Sequence, residues 1–487
     1  LRAGTLPYWT DLFGLGAPLV AESHVAAFYP LNWVAYRYLD VSTAYRLLMW
    51  LHFCGCAAAT YAYARSLGIG SWGSSLSSLA FTLGGFQASH ACHEPFYTLM
   101  PYLPLSLFLT ERYLTTGRVG WLAGLSLSWG VQLLLGHFQI QMWTGALILL
   151  TGIARLMRDR RSWVRVVLLA VGLVWGLAVA GLQLRLTAEL TQVSGFDRPI
   201  EKVMNHALPP QHLAQWALPL VYLSREHNPF RASASPYWIR HDVMPEEAGG
   251  YVGVTSLILA CVGIAGRRGR LGSVAEVRGS STLTMWLWLT LLALVLSTMP
   301  HWWPEGYKLV LKVPGMGLFR APGRYMVLAS LGLSLWAGCG LDRGLSLARY
   351  RDGMLASLGL LFGSLLLSMS SVMDAGFREA QLGWTLPWRY VVSMLSWLLS
   401  LWLLWKWRRG EFGSVWALGL CALELGGMFY FGPTPWGWSI AIPGESPMFA
   451  RLAKESPIGL VAGRLQNLPV RAGYRVSYPI FGITAPS

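Results

Sequence analysis

The chain has 487 residues, of which 54% are hydrophobic and only 13% charged, with a formal net charge of +15. A soluble domain carries about 25% charged residues, so this composition excludes a single water-soluble globule. Hydrocarbon offers the backbone no hydrogen bonds, so apolar runs of about 20 residues must be helical. The basic residues fall in short clusters between apolar runs rather than on one polar face, which points to membrane topology and away from nucleic acid.

The chain begins at Leu1 without Met or a signal-like apolar segment, so an upstream segment is expected. Residues 1–42 read as an extracytoplasmic loop punctuated by Gly, Pro and aromatics, in which Asp11, Glu22 and His24 are titratable. Solvated loop charges beside an interfacial aromatic belt are the bland alternative. Twelve apolar runs follow: 43–67, 72–88, 96–113, 121–135, 140–156, 164–186, 251–265, 284–299, 325–341, 354–372, 388–405 and 415–431. The expected fold is therefore an all-α polytopic bundle of about twelve transmembrane helices over 43–432, with a long outer loop at 187–250.

Alternation of positive charge supports this arrangement. Arg112 and Arg118, then Arg155 to Arg165, then Arg267 to Arg278, then Arg343 to Arg351, then Lys406 to Arg409 fall on alternate connections, as expected for the cytoplasmic side. Nine of the ten histidines, all but His52, fall on the opposite connections. Cys54, Cys56, Cys92, Cys261, Cys339 and Cys421 are scattered and signal neither a disulfide framework nor a zinc site. The tail 433–487 mixes Gly, Pro and alternating apolar residues such as Tyr474, Val476 and Tyr478, and reads as the start of a small extracytoplasmic α/β or β domain that continues beyond Ser487.

Four further clusters carry chemistry. His90, His93 and Glu94 meet at an outward helix end and suit an acid/base pair, a substrate contact or a satisfied polar terminus; a third metal ligand is not evident. Gly136-His137-Phe138-Gln139 is a polar break between two spans, either a cavity contact or a hairpin turn. Gln183, Arg185 and Glu189 end the sixth run, with Arg185 and Glu189 spaced for an intrahelical pair. Phe319-Arg320-Ala321-Pro322-Gly323-Arg324 puts two arginines on the outer side, against the positive-inside bias. They suit a phosphate, or an anchor to headgroups or Glu305. His52, inside the first run, is a pigment ligand or a hydrogen bond to a neighbouring helix.

The runs Arg2 to Trp9, Gly14 to Pro18, Phe28-Tyr29-Pro30, Gly136 to Gln139, Gln183 to Glu189, Glu247 to Gly253 and Phe319 to Arg324 together resemble the YfhO-like family of bacterial membrane proteins, placed in the GT-C superfamily of glycosyltransferases. The resemblance implies a GT-C-like bundle in the bacterial cytoplasmic membrane with its functional face extracytoplasmic. It implies transfer of a sugar from a polyprenyl-phosphate donor to a cell-envelope glycan or protein. The catalytic acid is then expected in the first loop, so Asp11 and Glu22, with Glu94, are candidates to take the acceptor proton. Arg320 and Arg324 are candidates to steady the lipid phosphate, and His24, His90, His93, His137 and Gln139 to contact substrate. A divalent metal stays open as cofactor, although no metal ligands are assigned. The partners expected are the bilayer, the polyprenyl-phosphate lipid and, in the alternative of a non-catalytic subunit, other membrane proteins. A lipid or glycan transporter is a third reading, disfavoured by the scarcity of intramembrane charge.

Overall fold

A computed structural model describes residues 17–91, 93–194, 199–222, 249–266, 280–343, 347–373 and 386–431, with Leu6, Tyr8, Trp9 and Glu247. The described residues are helical, without a β-strand. In order they form α1 (Pro30–Tyr38), α2 (Val41–Ser66), α3 (Ser71–Thr82), α4 (Gly85–His90), α5 (Glu94–Leu99), α6 (Tyr102–Thr116), α7 (Val119–Leu133), α8 (Phe138–Arg158), α9 (Trp163–Val179) and α10 (Gly181–Val193). After the short α11 (Ile200–Met204) and α12 (Pro219–Tyr222) come α13 (Val254–Ala265), α14 (Ser280–Trp302), α15 (Pro304–Leu311), α16 (Met326–Arg343), α17 (Leu347–Val372), α18 (Leu386–Arg408) and α19 (Ser414–Phe431). Asp11, Cys92, the tail 432–487 and the 223–246 part of the long loop lie outside the described residues.

Seven segments are long and apolar enough to cross a bilayer: Val41–Ser66, Phe138–Arg158, Arg160–Val179, Ser281–Trp302, Pro322–Asp342, Tyr350–Val372 and Pro387–Arg408. The other five apolar runs do not each give one such helix. The run 72–88 breaks between α3 and α4, because the amide of Gly85 donates to the carbonyl of Tyr251 (2.5 Å) and leaves the helical ladder. The run 96–113 divides between α5 and α6 at Pro101, whose nitrogen has no proton to continue a helix. The runs 121–135 and 251–265 hold helices of 15 and 12 residues, and 415–431 has its described apolar stretch at Ser414–Gly427. The sixth run is interrupted at Ala180, between α9 and α10.

The hub is α16. Of the most apolar stretch of Pro322–Asp342, 94% is buried within the protein, against 22% for Tyr350–Val372. Helices α3 and α13 pack on it through bare backbone: Gly73 meets Gly338 and Gly263 meets Gly340 so closely that a Cβ on any of them would strike the facing chain. Small residues give this close approach where lipid supplies no hydrophobic drive for helices to associate. At the periphery, α9, α17 and α18 leave Val167, Val171, Val174, Trp175, Leu355, Phe362, Leu366, Leu395, Leu398 and Trp402 exposed. Contiguous apolar faces of this kind suit lipid rather than water.

The connections sort onto two ends. At one end Asp342 accepts from the amides of Gly70 and Gly73, Arg165 Nη1 donates to the Leu114 carbonyl (2.6 Å), and Thr282 Oγ1 donates to Glu111 Oε1 (2.8 Å). These belong to the arginine-rich connections. At the other, Ser23 Oγ donates to the Gly136 carbonyl (3.2 Å), Leu208 N to Ser297 O (2.8 Å) and Gly323 N to His206 O (3.1 Å). Every one of these bonds joins connections that the charge pattern assigns to the same side. Single cysteines at Arg118 and Arg409, in a cysteine-free background, are therefore expected to react with a membrane-impermeant thiol reagent from one face of sealed vesicles, and one at Trp303 from the other. Labelling of all three from the same face contradicts the two-ended bundle.

Candidate functional site

The site starts at a glycine. Gly136 follows α7 with φ +74°, a left-handed conformation that L side chains rarely adopt, and its missing Cβ leaves room for the backbone of Ser23. That contact lays the first loop across the turn carrying His137 and Gln139. Gln183 Nε2 donates to Val20 O (3.2 Å) and Thr187 Oγ1 to Ala21 O (2.8 Å), so α10 straps the same loop down. On it, Glu22 accepts from the amide of His24 (3.3 Å), and its Oε1 lies 3.1 Å from His24 Nδ1. This is a close approach of carboxylate and ring without a hydrogen bond, since His24 Nδ1 has no hydrogen-bond partner among the described residues.

At the centre is Arg324. Its Nε lies 2.9 and 3.0 Å from the two Glu247 carboxylate oxygens and its Nη2 2.6 Å from Oε1. Its Nη1 donates to Gln139 Oε1 (3.1 Å) and to His137 Nε2 (3.3 Å), while the guanidinium lies over the Phe96 ring at 5.1 Å. His90 Nε2 stands 3.4 Å from Glu247 Oε2, and the rings of His90 and His137 each lie 4.2 Å from Phe96. The Arg324 and Glu247 side chains are 13% and 5% exposed, so the pair is desolvated and its charges compensate each other.

Burial by itself would raise the Glu247 pKa, but the Arg324 charge, and after it the neighbouring His90, hold the carboxyl well below the usual range. Burial, then the Arg324 charge, depress His137 well below an ordinary imidazole, so it is neutral. Since arginine only donates, the His137 proton sits on Nδ1, a buried nitrogen with no hydrogen-bond partner among the described residues.

Backbone strain gathers on the same segments. Ala26, His206 and Ala321 are the non-glycine residues with positive φ among those described (51°, 61° and 64°). Ala26 follows the His24 turn, Ala321 separates Arg320 from Arg324, and His206 holds Gly323 through its carbonyl. A Cβ at Gly323 would lie 2.6 Å from the Glu247 carbonyl. Such strain, of order 1–3 kcal/mol per residue, persists where the surroundings over-determine it and clusters at functional sites.

The structure brings together Glu22, His24, His90, His137, Gln139 and Arg324. His93 lies beside them, its ring 5.7 Å from that of His90. Arg320 is exposed, and partial desolvation and then the Arg324 charge lower its pKa from the usual guanidinium value; it has no hydrogen bond or ion pair among the described residues. Glu94 stands apart, accepting from Tyr36 Oη (3.4 Å). Glu305 pairs with Lys308 at 2.7 Å, so it is not the partner of either arginine. Arg185 and Glu189 form the intrahelical pair at 3.0 Å. His52 bonds the hydroxyl of Tyr29 (2.7 Å), the extended residue that precedes α1. Among the described residues no group of His, Cys, Asp and Glu is arranged to hold a metal ion.

Two members, Glu247 and Phe96, were not singled out from the sequence. Glu247 was visible only as the first residue of the Glu-Ala-Gly-Gly-Tyr-Val-Gly run, whose glycines allow Gly249 to pass Ser89 and Gly250 to pass Trp216. Glu424 anchors that run from α19, accepting from Tyr251 Oη, from Val254 N (2.8 Å) and from Ser396 Oγ (3.0 Å).

No protein-family model, curated protein or solved structure matches the chain.

Glu247→Gln leaves Arg324 buried without its counter-charge and is expected to destabilise the protein by about 3–5 kcal/mol, read as a lowered unfolding temperature in detergent. Adding Arg324→Gln should recover part of that loss. Because folding lowers the Glu247 pKa, the pair's contribution is complete above the unfolded carboxyl value of about 4.3 and is lost as pH falls below it. The wild-type protein is therefore expected to lose more stability on acidification than Glu247→Gln; parallel pH profiles would refute the pairing.

Proposed function

We propose that the chain is a GT-C-like membrane glycosyltransferase of about twelve crossings, working on the extracytoplasmic side of a bacterial cytoplasmic membrane and taking sugar from a polyprenyl-phosphate donor. The observation that carries the proposal is the juxtaposition at one end of the bundle. There an imidazole beside a carboxylate (His24 and Glu22, 3.1 Å apart) and an exposed guanidinium (Arg320) flank the buried His137–Arg324–Glu247 network. Four segments of the family resemblance contribute to this one place, and the strained backbone lies on the segments that build it.

In this reading His24 Nε2 takes the proton of the acceptor hydroxyl, with Glu22 beside Nδ1 stabilising the imidazolium that forms. The acceptor oxygen bonds to the anomeric carbon as the bond from that carbon to the lipid-phosphate oxygen breaks. The phosphate departs with the electron pair, and Arg320 meets its charge. Arg324 is spent on Glu247 and positions His137 and Gln139 as a fixed floor. The complete compensation of Arg324 also favours a second reading, a non-catalytic subunit that keeps the scaffold and its buried clamp.

Transfer from a radiolabelled polyprenyl-phosphate sugar to membrane acceptors separates the two. Arg320→Ala and Glu22→Gln are each expected to lower the turnover at least about 100-fold, while the lipid-side control Val171→Ala leaves it unchanged. Undiminished transfer in both site variants removes these roles, and absence of transfer by a folded wild type under every donor favours the subunit.

A further inference from the structure

A second polar feature lies at the same end, outside the Arg324 network. Glu94 opens α5 with its side chain half-buried, and among the described residues it has no cation within ion-pair distance. Its hydrogen bond comes from Tyr36 Oη of α1 at 3.4 Å. One helical turn on, Tyr97 stands edge-to-face with Tyr45 of α2 at 5.9 Å. The Tyr97 hydroxyl is buried, at 2% residue exposure, and that burial, then the Glu94 and Tyr45 side chains beside it, raise its pKa. Tyr36 and Tyr45 are half-buried, so the notch opens between α1 and α2.

A carboxylate walled by tyrosine rings repels anions and attracts cations, since the ring faces carry negative quadrupole density. Desolvation raises the Glu94 pKa, a cost that a bound cation offsets. The opening also has a character of its own: Leu31, Val34, Tyr38, Leu47 and Trp50 are exposed on α1 and the start of α2. A short helix with apolar and aromatic exposure at the end of a bundle lies at headgroup level.

We propose that Glu94, Tyr36, Tyr45 and Tyr97 form a binding notch for the ammonium group of a zwitterionic lipid headgroup, of the phosphatidylethanolamine type. The ammonium nitrogen donates to the Glu94 carboxylate and to the Tyr97 hydroxyl, and its remaining face packs on the rings. This role is independent of the transfer chemistry.

Native mass spectrometry of the protein released from mixed phosphatidylethanolamine and phosphatidylglycerol vesicles tests it. The wild type is expected to retain phosphatidylethanolamine preferentially. Glu94→Gln should lose at least tenfold of that retention, and Tyr97→Phe, which keeps the packing, several-fold. Glu189→Gln on α10 and the site variant Arg320→Ala should match the wild type, so a failure here is distinct from failure of the transferase reading. Equal retention of the two lipids by the wild type, or unchanged retention in both notch variants, overturns the proposal. Displacement of the lipid by soluble ethanolamine at equal concentration overturns the lipid source and assigns the notch to water-soluble amines.

Discussion

A guanidinium cannot be left alone inside a helix bundle, and the arrangement of this end of the protein follows from how Arg324 is satisfied. It begins the most enclosed of the seven long apolar segments, Pro322–Asp342, so its position is fixed before any partner is considered. Its charge is met by Glu247 and its remaining donors by Gln139 and His137. Glu247 comes from one connection and His137 with Gln139 from another, so one cation draws together segments far apart in the chain. Replacing such a pair by well-packed apolar residues is often neutral or stabilising, whereas removing one partner is costly. Net stability therefore does not account for the pair; its consequence is registration of the connections against one another.

That registration is reinforced by backbone contacts that tolerate no side chain. Gly136 accommodates Ser23, Gly323 accommodates Glu247 and His206, and Gly249 accommodates Gly85 and Ser89. Left-handed residues other than glycine stand beside the same contacts at Ala26, His206 and Ala321. A loop free to relax would shed this strain. It persists because α16 is packed on both sides by glycine-lined helices, and Glu424 pins the Tyr251 run from α19. The rigid interior and the strained rim are two parts of one arrangement.

Much of this was legible in the sequence. Apolar length located the seven helices long and apolar enough to cross a bilayer, because that signal is a property of a short stretch of chain. Interruptions within the runs were harder to read. The break before Gly85 depends on the carbonyl of Tyr251, which arrives from a remote part of the chain. The clusters around Glu22, His90, His137 and Arg324 stood out as polar groups at helix ends, but their meeting point did not, since no local pattern encodes it. Glu247 illustrates the limit. It follows another glutamate in a long polar loop, and nothing nearby distinguishes the one that is buried against Arg324. Conversely, Arg320 and Arg324 look equivalent on paper, and only the contacts separate a compensated arginine from an exposed one.

The separation between the two arginines decides what each can do to an anion. Two unit charges 4 Å apart attract by about 4 kcal/mol at an effective dielectric near 20, but an anion approaching Arg324 also meets the repulsion of Glu247 at nearly the same distance. To first order the pair is a dipole rather than a cation. It can fix the orientation of His137 and the local field without drawing a phosphate to itself. Arg320 feels the same Glu247 charge but forms no ion pair among the described residues, so it is the less compensated of the two. A buried, compensated cation for geometry and an exposed one for attraction are thus different uses of the same side chain four residues apart. The left-handed backbone of Ala321 between them turns the chain from the surface toward the interior.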